Sequence, residues 1–279
     1  MDHDDVAYLA KLLRRRSGLL LMQPKVHLIQ SRLAPVARRF GFKDVNALIR
    51  ELRHGGDTLA RAVTEAMTTN ESSFFRDRAA FDAFRDRIVP ALLERNAATK
   101  RLRIWCAACA AGQEPYSIAM ILDDLKLQAQ GWTIDLIATD ISAEMVARCE
   151  QGIYSHFEVQ RGLPIRRLVA HFAQEGEAWR ISETLRRMVT FRAFNLLDSF
   201  GWLDDVDVVF CRNVLMYFDQ KTKIAVLDKI AEILVPDGYL VLGPVETAQG
   251  LSNEFAPSDA ASGIYTKARN TPSRMAASS

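Results

Sequence analysis

Two apolar runs in this chain end in residues that can do chemistry together. Leu102-Arg103-Ile104-Trp105-Cys106 reads as a strand, the small residues Ala107-Ala108-Cys109-Ala110-Ala111-Gly112 follow, and Pro115 to Leu125 resumes as a helix. Strand, small-residue turn, helix is how a nucleotide-type cofactor meets an open α/β sheet, because nothing bulky keeps the backbone from the ligand. Ile134-Asp135-Leu136-Ile137-Ala138-Thr139-Asp140 is a second strand, and it closes on an acid. A carboxylate at that tip is placed to accept hydrogen bonds from both ribose hydroxyls of an adenosine. Asp140 could also cap the helix expected from about Ser142, and the two roles are compatible. Only one glycine, Gly112, stands in the loop, and the absence of GxGxxG counts against an NAD or FAD site.

Cys106 and Cys109 form a CxxC pair, which admits zinc or redox chemistry. No second CxxC and no His pair at ligand spacing accompanies them, so no metal is expected. Small residues that let backbone approach a ligand are the favoured reading. With Cys149 and Cys211, the four cysteines are too few and too scattered for a disulfide framework.

The elements that must hold these groups alternate. Val206–Cys211 is a buried parallel-type strand, apolar apart from Asp207, and a helix follows from about Gln220. Pro236-Asp237-Gly238 turns the chain into the strand Tyr239–Gly243, and Gly263–Lys267 is a short last strand. Such alternation predicts a doubly wound α/β sheet over 99–267. Between Gly152 and Leu196 the alternation breaks. Patterns around His171–Ala173, Trp179–Ile181 and Met188–Phe194 predict short antiparallel strands. Much of this is expected to be an inserted β-subdomain at about 153–187, with Met188–Phe194 returning to the main sheet. Residues 268–279 are small and polar and are expected to be disordered.

Residues 1–68 are helical in pattern and basic. The first 60 carry eleven Lys or Arg against six Asp or Glu, in a chain whose net charge is only +2. Val6, Leu9, Ala10 and Leu13 form the inner face of a first helix. A second is expected from Pro24, with a kink or break at Pro35 and a stop at Gly41. Asp44 and Asp57 are expected to cap two more. Lys25, Arg32 and Arg39 recur every seven residues beside the apolar stripe of the second helix. A solvated face, a docking surface for an acidic partner and a nucleic-acid platform all fit that charge. No aromatic residues interleave with it as base stacking would want. No apolar run approaches the roughly 20 residues of a membrane span. The start, Met1-Asp2-His3-Asp4-Asp5, is acidic where a secretory signal is basic, so a cytoplasmic location is expected.

Three segments are specific: Thr68-Thr69-Asn70-Glu71-Ser72-Ser73-Phe74-Phe75-Arg76, Gly112-Gln113-Glu114-Pro115-Tyr116-Ser117 and Cys211-Arg212-Asn213-Val214-Leu215-Met216-Tyr217-Phe218. Together they resemble the chemotaxis receptor methyltransferases, the CheR family, over nearly the whole chain. The resemblance implies a Rossmann-like class I methyltransferase sheet, with an all-helical N-terminal domain (1–68), a linker (69–98) and the inserted β-subdomain. It implies transfer of a methyl group from S-adenosylmethionine to glutamate side chains of chemoreceptors, leaving S-adenosylhomocysteine. Cofactor contacts are carried over onto Asn70, Ser72, Arg76, Glu114, Asp140, Asn195, Leu196, Arg212 and Asn213. Lys25, Arg32, Arg38 and Arg39 become docking residues for the receptor's cytoplasmic helices, with no nucleic acid, no membrane insertion and a monomer expected. Relatives often have Thr where Ser72 stands, Glu or Gln at the position of Gln113, and Ser or Thr in the Cys109-Ala110-Ala111 loop, so one hydroxyl contact is missing here.

A glutamate carboxylate, with a reference pKa near 4.3, is already a nucleophile at neutral pH, and its methylation needs no general base. No His lies in the three segments. Arg76 is then the expected positioning group, forked onto either the methionine carboxylate of the cofactor or the acceptor glutamate. Tyr217 is expected to aim its hydroxyl at the methyl group or the acceptor, or else to pack. Phe74 and Phe75 are read as packing rather than stacking on cofactor. A methyltransferase acting on RNA or another protein is the rival enzyme, and a cofactor-sensing adaptor the non-enzyme alternative.

Overall fold

The computed structural model describes residues 1, 3–21 and 26–268. Four helices open the chain: α1 (His3–Ser17), α2 (Val26–Arg39), α3 (Val45–His54) and α4 (Asp57–Met67). They share a core of their own around Leu9, Leu13, Ile29, Leu33, Leu48 and Val63. Val6 and Ala10 are only half-buried, and Leu12 takes the place expected of them. The start expected at Pro24 lies outside the described residues. Pro35 does not break α2, because it sits on the exposed side where its missing N–H leaves nothing stranded in the core. Asp44 caps α3 by accepting from Ala47 N at 2.7 Å. Asp57 is not a cap. Gly56 takes that place, and the Asp57 carboxylate pairs with Arg16 at 2.6 Å.

A linker leads to α5 (Arg78–Ala83) and α6 (Val89–Arg95), joined by the π-helical turn Phe84–Ile88. The sheet then begins: β1 (Arg101–Ala107), α7 (Gln113–Asp124), β2 (Thr133–Asp140) and α8 (Ala143–Gln151). The insertion holds β3 (Ile153–Ser155), α9 (His156–Gln160), α10 (Ile165–His171), β4 (Phe172–Glu175), β5 (Ala178–Ile181) and α11 (Glu183–Met188). The main sheet resumes with β6 (Val189–Ala193), β7 (Val206–Cys211), α12 (Gln220–Ile233), β8 (Leu234–Leu242), β9 (Phe255–Pro257) and β10 (Ile264–Lys267).

The seven strands run in the order β6-β2-β1-β7-β8-β10-β9, parallel from β6 to β8 and antiparallel at the β10 and β9 edge. Alternate side chains of β1 feed opposite cores. Ile104 and Cys106 face α7, and Trp105 and Ala107 face α12. This is the doubly wound, Rossmann-like sheet expected from the alternation. Its chain reverses direction between β1 and β7, and the carboxyl ends of strands flanking such a reversal form a crevice. Asp207, the one acid in β7, is buried and accepts from Arg95, Asn96 and Arg103 N, so it pins α6 to the sheet.

The small antiparallel sheet has the order β3-β5-β4. Two of its strands match expectation. The third, Ile153–Ser155, was not expected, because three residues are too few to show a period. Strand β9 escaped for the same reason. Pro236-Asp237-Gly238 lies within β8, which has an irregular register with β7 there. The insertion is tied to the linker at Gly162, where φ is +87° and an added Cβ would stand 2.1 Å from Phe74 O. Phe74 is fully buried, edge-on to Tyr154 and Phe172 of the insertion.

Gly162→Ala is therefore expected to cost about 3 kcal/mol or more, because strained φ and a backbone clash add. Gly176→Ala, at φ +61° with open space around it, is expected to cost only about 1 kcal/mol. Thermal unfolding of the two variants checks the difference.

Candidate active site at the carboxyl end of the sheet

The crevice opens into a cavity whose empty space, open mouth included, is about 950 Å³. Its floor is the turn after β1. Ala108 and Ala110 both have positive φ there, +58° and +49°, which non-glycine residues hold only when their surroundings enforce it. Enforcement comes from β2: Cys109 N donates to Thr139 O at 2.8 Å and Ala110 N to Asp140 Oδ2 at 2.8 Å. The other Asp140 oxygen accepts from Ser142 N at 2.9 Å, while Ser142, not Asp140, caps α8. Asp140 is thus a backbone organiser with lone pairs still facing the cavity. Burial pushes its carboxyl up to about 6, against the pull of the Ser142 and Ala110 N–H groups.

Opposite, Arg212 leaves β7 with its side chain almost wholly buried. It donates to Glu114 at 2.9 Å, to Asp77 at 2.8 Å and to Arg76 O at 2.9 Å. Burial pushes the Glu114 carboxyl up, while the neighbouring Arg212 guanidinium opposes that shift. The Nε of Arg212 has no hydrogen-bond partner among the described residues. Arg76 itself donates to Glu71 O at 3.0 Å, and it is Arg212, not Arg76, that pairs with Asp77.

One residue that the sequence reading passed over holds the next turn. Glu246, largely buried, accepts from Asn213 N and Gly243 N through one oxygen and from Val214 N and Met216 N through the other, at 2.7–3.1 Å. Asn213 is left-handed, at φ +58°, inside this clamp. An acid just past the end of an apolar strand was the signal that singled out Asp140, and it applies equally to Glu246 after β8.

The helical half forms the remaining wall. Leu20 N donates to Tyr217 O at 2.8 Å, and Asn195 Nδ2 donates to Arg16 O at 2.6 Å. Asn70, Ser72, Arg76, Glu114, Asp140, Asn195, Leu196, Arg212, Asn213 and Tyr217 all line the one cavity, with Ser17 and Leu19 from the end of α1. Phe74 and Phe75 do not line it, and both pack. Cys109 contributes to the lining, while Cys106, Cys149 and Cys211 are buried, and all four thiols are free. Among the described residues no group of three or more His, Cys, Asp or Glu is arranged to hold a metal ion.

Of the basic residues assigned to docking, Arg38 and Arg39 are exposed on α2, and Lys25 lies outside the described residues. Arg32 departs from that assignment. Its guanidinium turns to the linker and donates to Met67 O, Thr68 O and Thr69 Oγ1.

Residues 4–68 match the profile described as CheR methyltransferase, all-alpha domain, and residues 70–264 match CheR methyltransferase, SAM binding domain. The chain belongs to the CheR methyltransferase family. It is 38% identical to the chemotaxis protein methyltransferase Cher2 of Pseudomonas putida, over 92% of this chain and 95% of that protein. It is 36% identical to chemotaxis protein methyltransferase 1 of Pseudomonas aeruginosa, over 92% and 95%. With the chemotaxis protein methyltransferase of Escherichia coli it shares 32% over 88% and 85%. The CheR chain is an S-adenosylmethionine-dependent methyltransferase. Its cavity has the features that cofactor asks for: a small-residue floor, an acid at the β2 tip, and the partnerless Nε of Arg212 in the wall.

Asp140 sets a pH dependence. An unfolded Asp titrates near 3.9 and the folded one near 6, so between these values only the folded chain holds the proton. Through this group, stability falls as pH rises from about 4 to 6 and is level above that. Cofactor affinity runs the other way. Hydroxyl donors need the ionised carboxylate, so affinity is expected to fall below about pH 6, approaching tenfold per pH unit. In Asp140→Asn that slope should vanish, and in Asp140→Ala affinity should drop at least about tenfold at neutral pH. Calorimetric titration with S-adenosylmethionine across this range measures both.

Proposed function

We propose that this CheR protein methylates glutamate side chains on the cytoplasmic helices of a chemoreceptor, and that it works in the cytoplasm. The observation that carries the reading is the makeup of the cavity. Among the described residues its lining contains two arginines and no His or Lys. A site that methylates an amine or a hydroxyl benefits from a base to take the proton, whereas a carboxylate acceptor arrives deprotonated. Family membership and the names of the three relatives point the same way. Among the described residues no helix is long and apolar enough to cross a membrane.

When bound, S-adenosylmethionine supplies a methyl group on a positively charged sulfur. The chain's own work is to bind, orient and dry the site. Asp140 would hold the adenosine ribose, and the small residues Ala108 and Ala110 would let the nucleoside approach the backbone. Asn70, Ser72, Glu114, Asn195, Leu196, Arg212 and Asn213 complete the cofactor cradle. Arg76 has uncommitted N–H donors at the cavity edge and orients a carboxylate in two-pronged fashion. Tyr217, fixed through its own carbonyl to Leu20, directs its hydroxyl toward the acceptor. Alignment of this kind supplies several kcal/mol without any proton transfer. Exposed Arg38 and Arg39 on α2 present positive charge to the acidic helices of the receptor.

Incubation with radiolabelled S-adenosylmethionine and a receptor's cytoplasmic fragment is expected to give label that alkali releases, because carboxyl esters hydrolyse readily. Alkali-stable label, or label on RNA, would remove the glutamate reading. Arg76→Ala is expected to lower turnover at least about 100-fold with an unchanged unfolding temperature; turnover near that of the parent would remove Arg76 from the reacting centre.

A further inference from the structure

Arg32 stands in the same seven-residue series as Lys25 and Arg39, yet its charge is spent inside the molecule. Nη1 donates to Met67 O at 2.6 Å and to Thr68 O at 3.0 Å, and Nη2 donates to Thr69 Oγ1 at 3.1 Å. Met67 ends α4 and Thr68 is its C-terminal cap. These carbonyls are among those that a helix leaves without intrahelical donors, and they form the negative end of its dipole. A cation held there is therefore bound by charge and geometry together.

The segment so held is the one that enters the active site. Thr68 and Thr69 line the cavity, followed at once by Asn70, Glu71 and Ser72. The Thr68 hydroxyl lies 2.6 Å from Glu65 O and 3.2 Å from Asn70 Oδ1, so one end of the contact chain is α2 and the other a cofactor-lining side chain. Beyond Phe74 the linker is fixed by other means: Phe75 N donates to Ser117 Oγ, and Arg76 O accepts from Arg212. Among the described residues, the side chains from outside the linker that donate hydrogen bonds to residues 67–73 are those of Arg32 and, at exposed Glu71, Arg161.

We propose that Arg32 is a positioning residue of the methyl-transfer site. It orders residues 68–72 from α2 and thereby couples the helix that meets the partner to the helix-to-sheet linker that meets the cofactor. The proposal rests on the cavity being the cofactor site. It separates Arg32 from Arg38 and Arg39, whose exposed charges touch no linker atom.

A forked guanidinium reaches two carbonyls and a hydroxyl at once, which a lysine ammonium on its flexible stem cannot reproduce. Arg32→Ala is expected to raise the dissociation constant for S-adenosylmethionine by about tenfold, the effect of losing one or two charge-assisted hydrogen bonds. Arg32→Lys keeps the charge and is expected to remain within about threefold of the alanine variant. Arg50→Ala, an equal charge change on the exposed face of α3, is expected to bind the cofactor as the parent does. Amide hydrogen exchange over residues 69–73 is expected to quicken in both Arg32 variants while exchange in β1 and β7 stays put. An unchanged cofactor affinity in Arg32→Ala, or full recovery of affinity and protection in Arg32→Lys, would overturn the proposal. Should Arg32→Ala fail to fold, the lysine variant alone decides through the same two readings. Failure of the parent chain to bind S-adenosylmethionine would instead remove the cofactor reading of the cavity on which the proposal stands.

Discussion

A buried guanidinium at the end of β7 is the contact on which the site depends. Arg212 cannot stay charged in the interior without partners. It finds them in Glu114 on α7, in Asp77 and in the carbonyl of Arg76. Arg76 and Glu114 lie in two of the stretches that carry the family resemblance, Asp77 directly follows the first of these, and Arg212 itself lies in the third. Removing either acid takes one of two carboxylates from a buried charge, so the three stretches are constrained together. The link also explains why Arg76 has no ion pair with its neighbour Asp77, whose carboxylate is taken by Arg212.

Acids do the complementary work on the backbone. Asp140 holds the turn after β1, and Glu246 holds the turn after β7 with three N–H groups and ties it to Gly243 N after β8. Both turns contain non-glycine residues at positive φ, Ala108, Ala110 and Asn213, where each left-handed residue costs of order 1 kcal/mol or more. A carboxylate accepting several N–H bonds offsets that strain. The acids of this site are therefore structural partners of the loops. A carboxylate acceptor asks no proton transfer of them.

What the sequence disclosed follows from distance along the chain. The β1-turn-α7 unit and the acid at the β2 tip were legible because their signals are local: a run of apolar residues, a run of small ones, a polar stop. Asp44 was legible as a cap for the same reason. Glu246 was missed although it carries the same signal as Asp140, because nothing local says that its oxygens meet a turn 30 residues earlier. The inward turn of Arg32 was not legible because periodicity reports which face of a helix a residue occupies, not where a long side chain bends. Its acceptors lie 35 to 37 residues away. The three-residue strands β3 and β9 are set by their partners rather than by any pattern of their own.

The helical domain is more than an appendage for recognition. Asn195 donates to the carbonyl of Arg16, Leu20 donates to the carbonyl of Tyr217, and Arg14 reaches Asp219 just beyond it. Gly18 permits this close approach, since a Cβ there would press on Phe218 and Thr222 at 3.1 Å. One wall of the cavity is thus made by the end of α1, and the turn bearing Tyr217 is held from both sides, by Glu246 from the sheet and by Leu20 from the helices. A sheet domain cut away from residues 1–68 would keep Asp140 and Arg212. It would lose the wall at Ser17 and Leu19, the donor to Tyr217 and the brace on the linker from Arg32. The cavity is therefore built at the seam between the two domains, from residues of both.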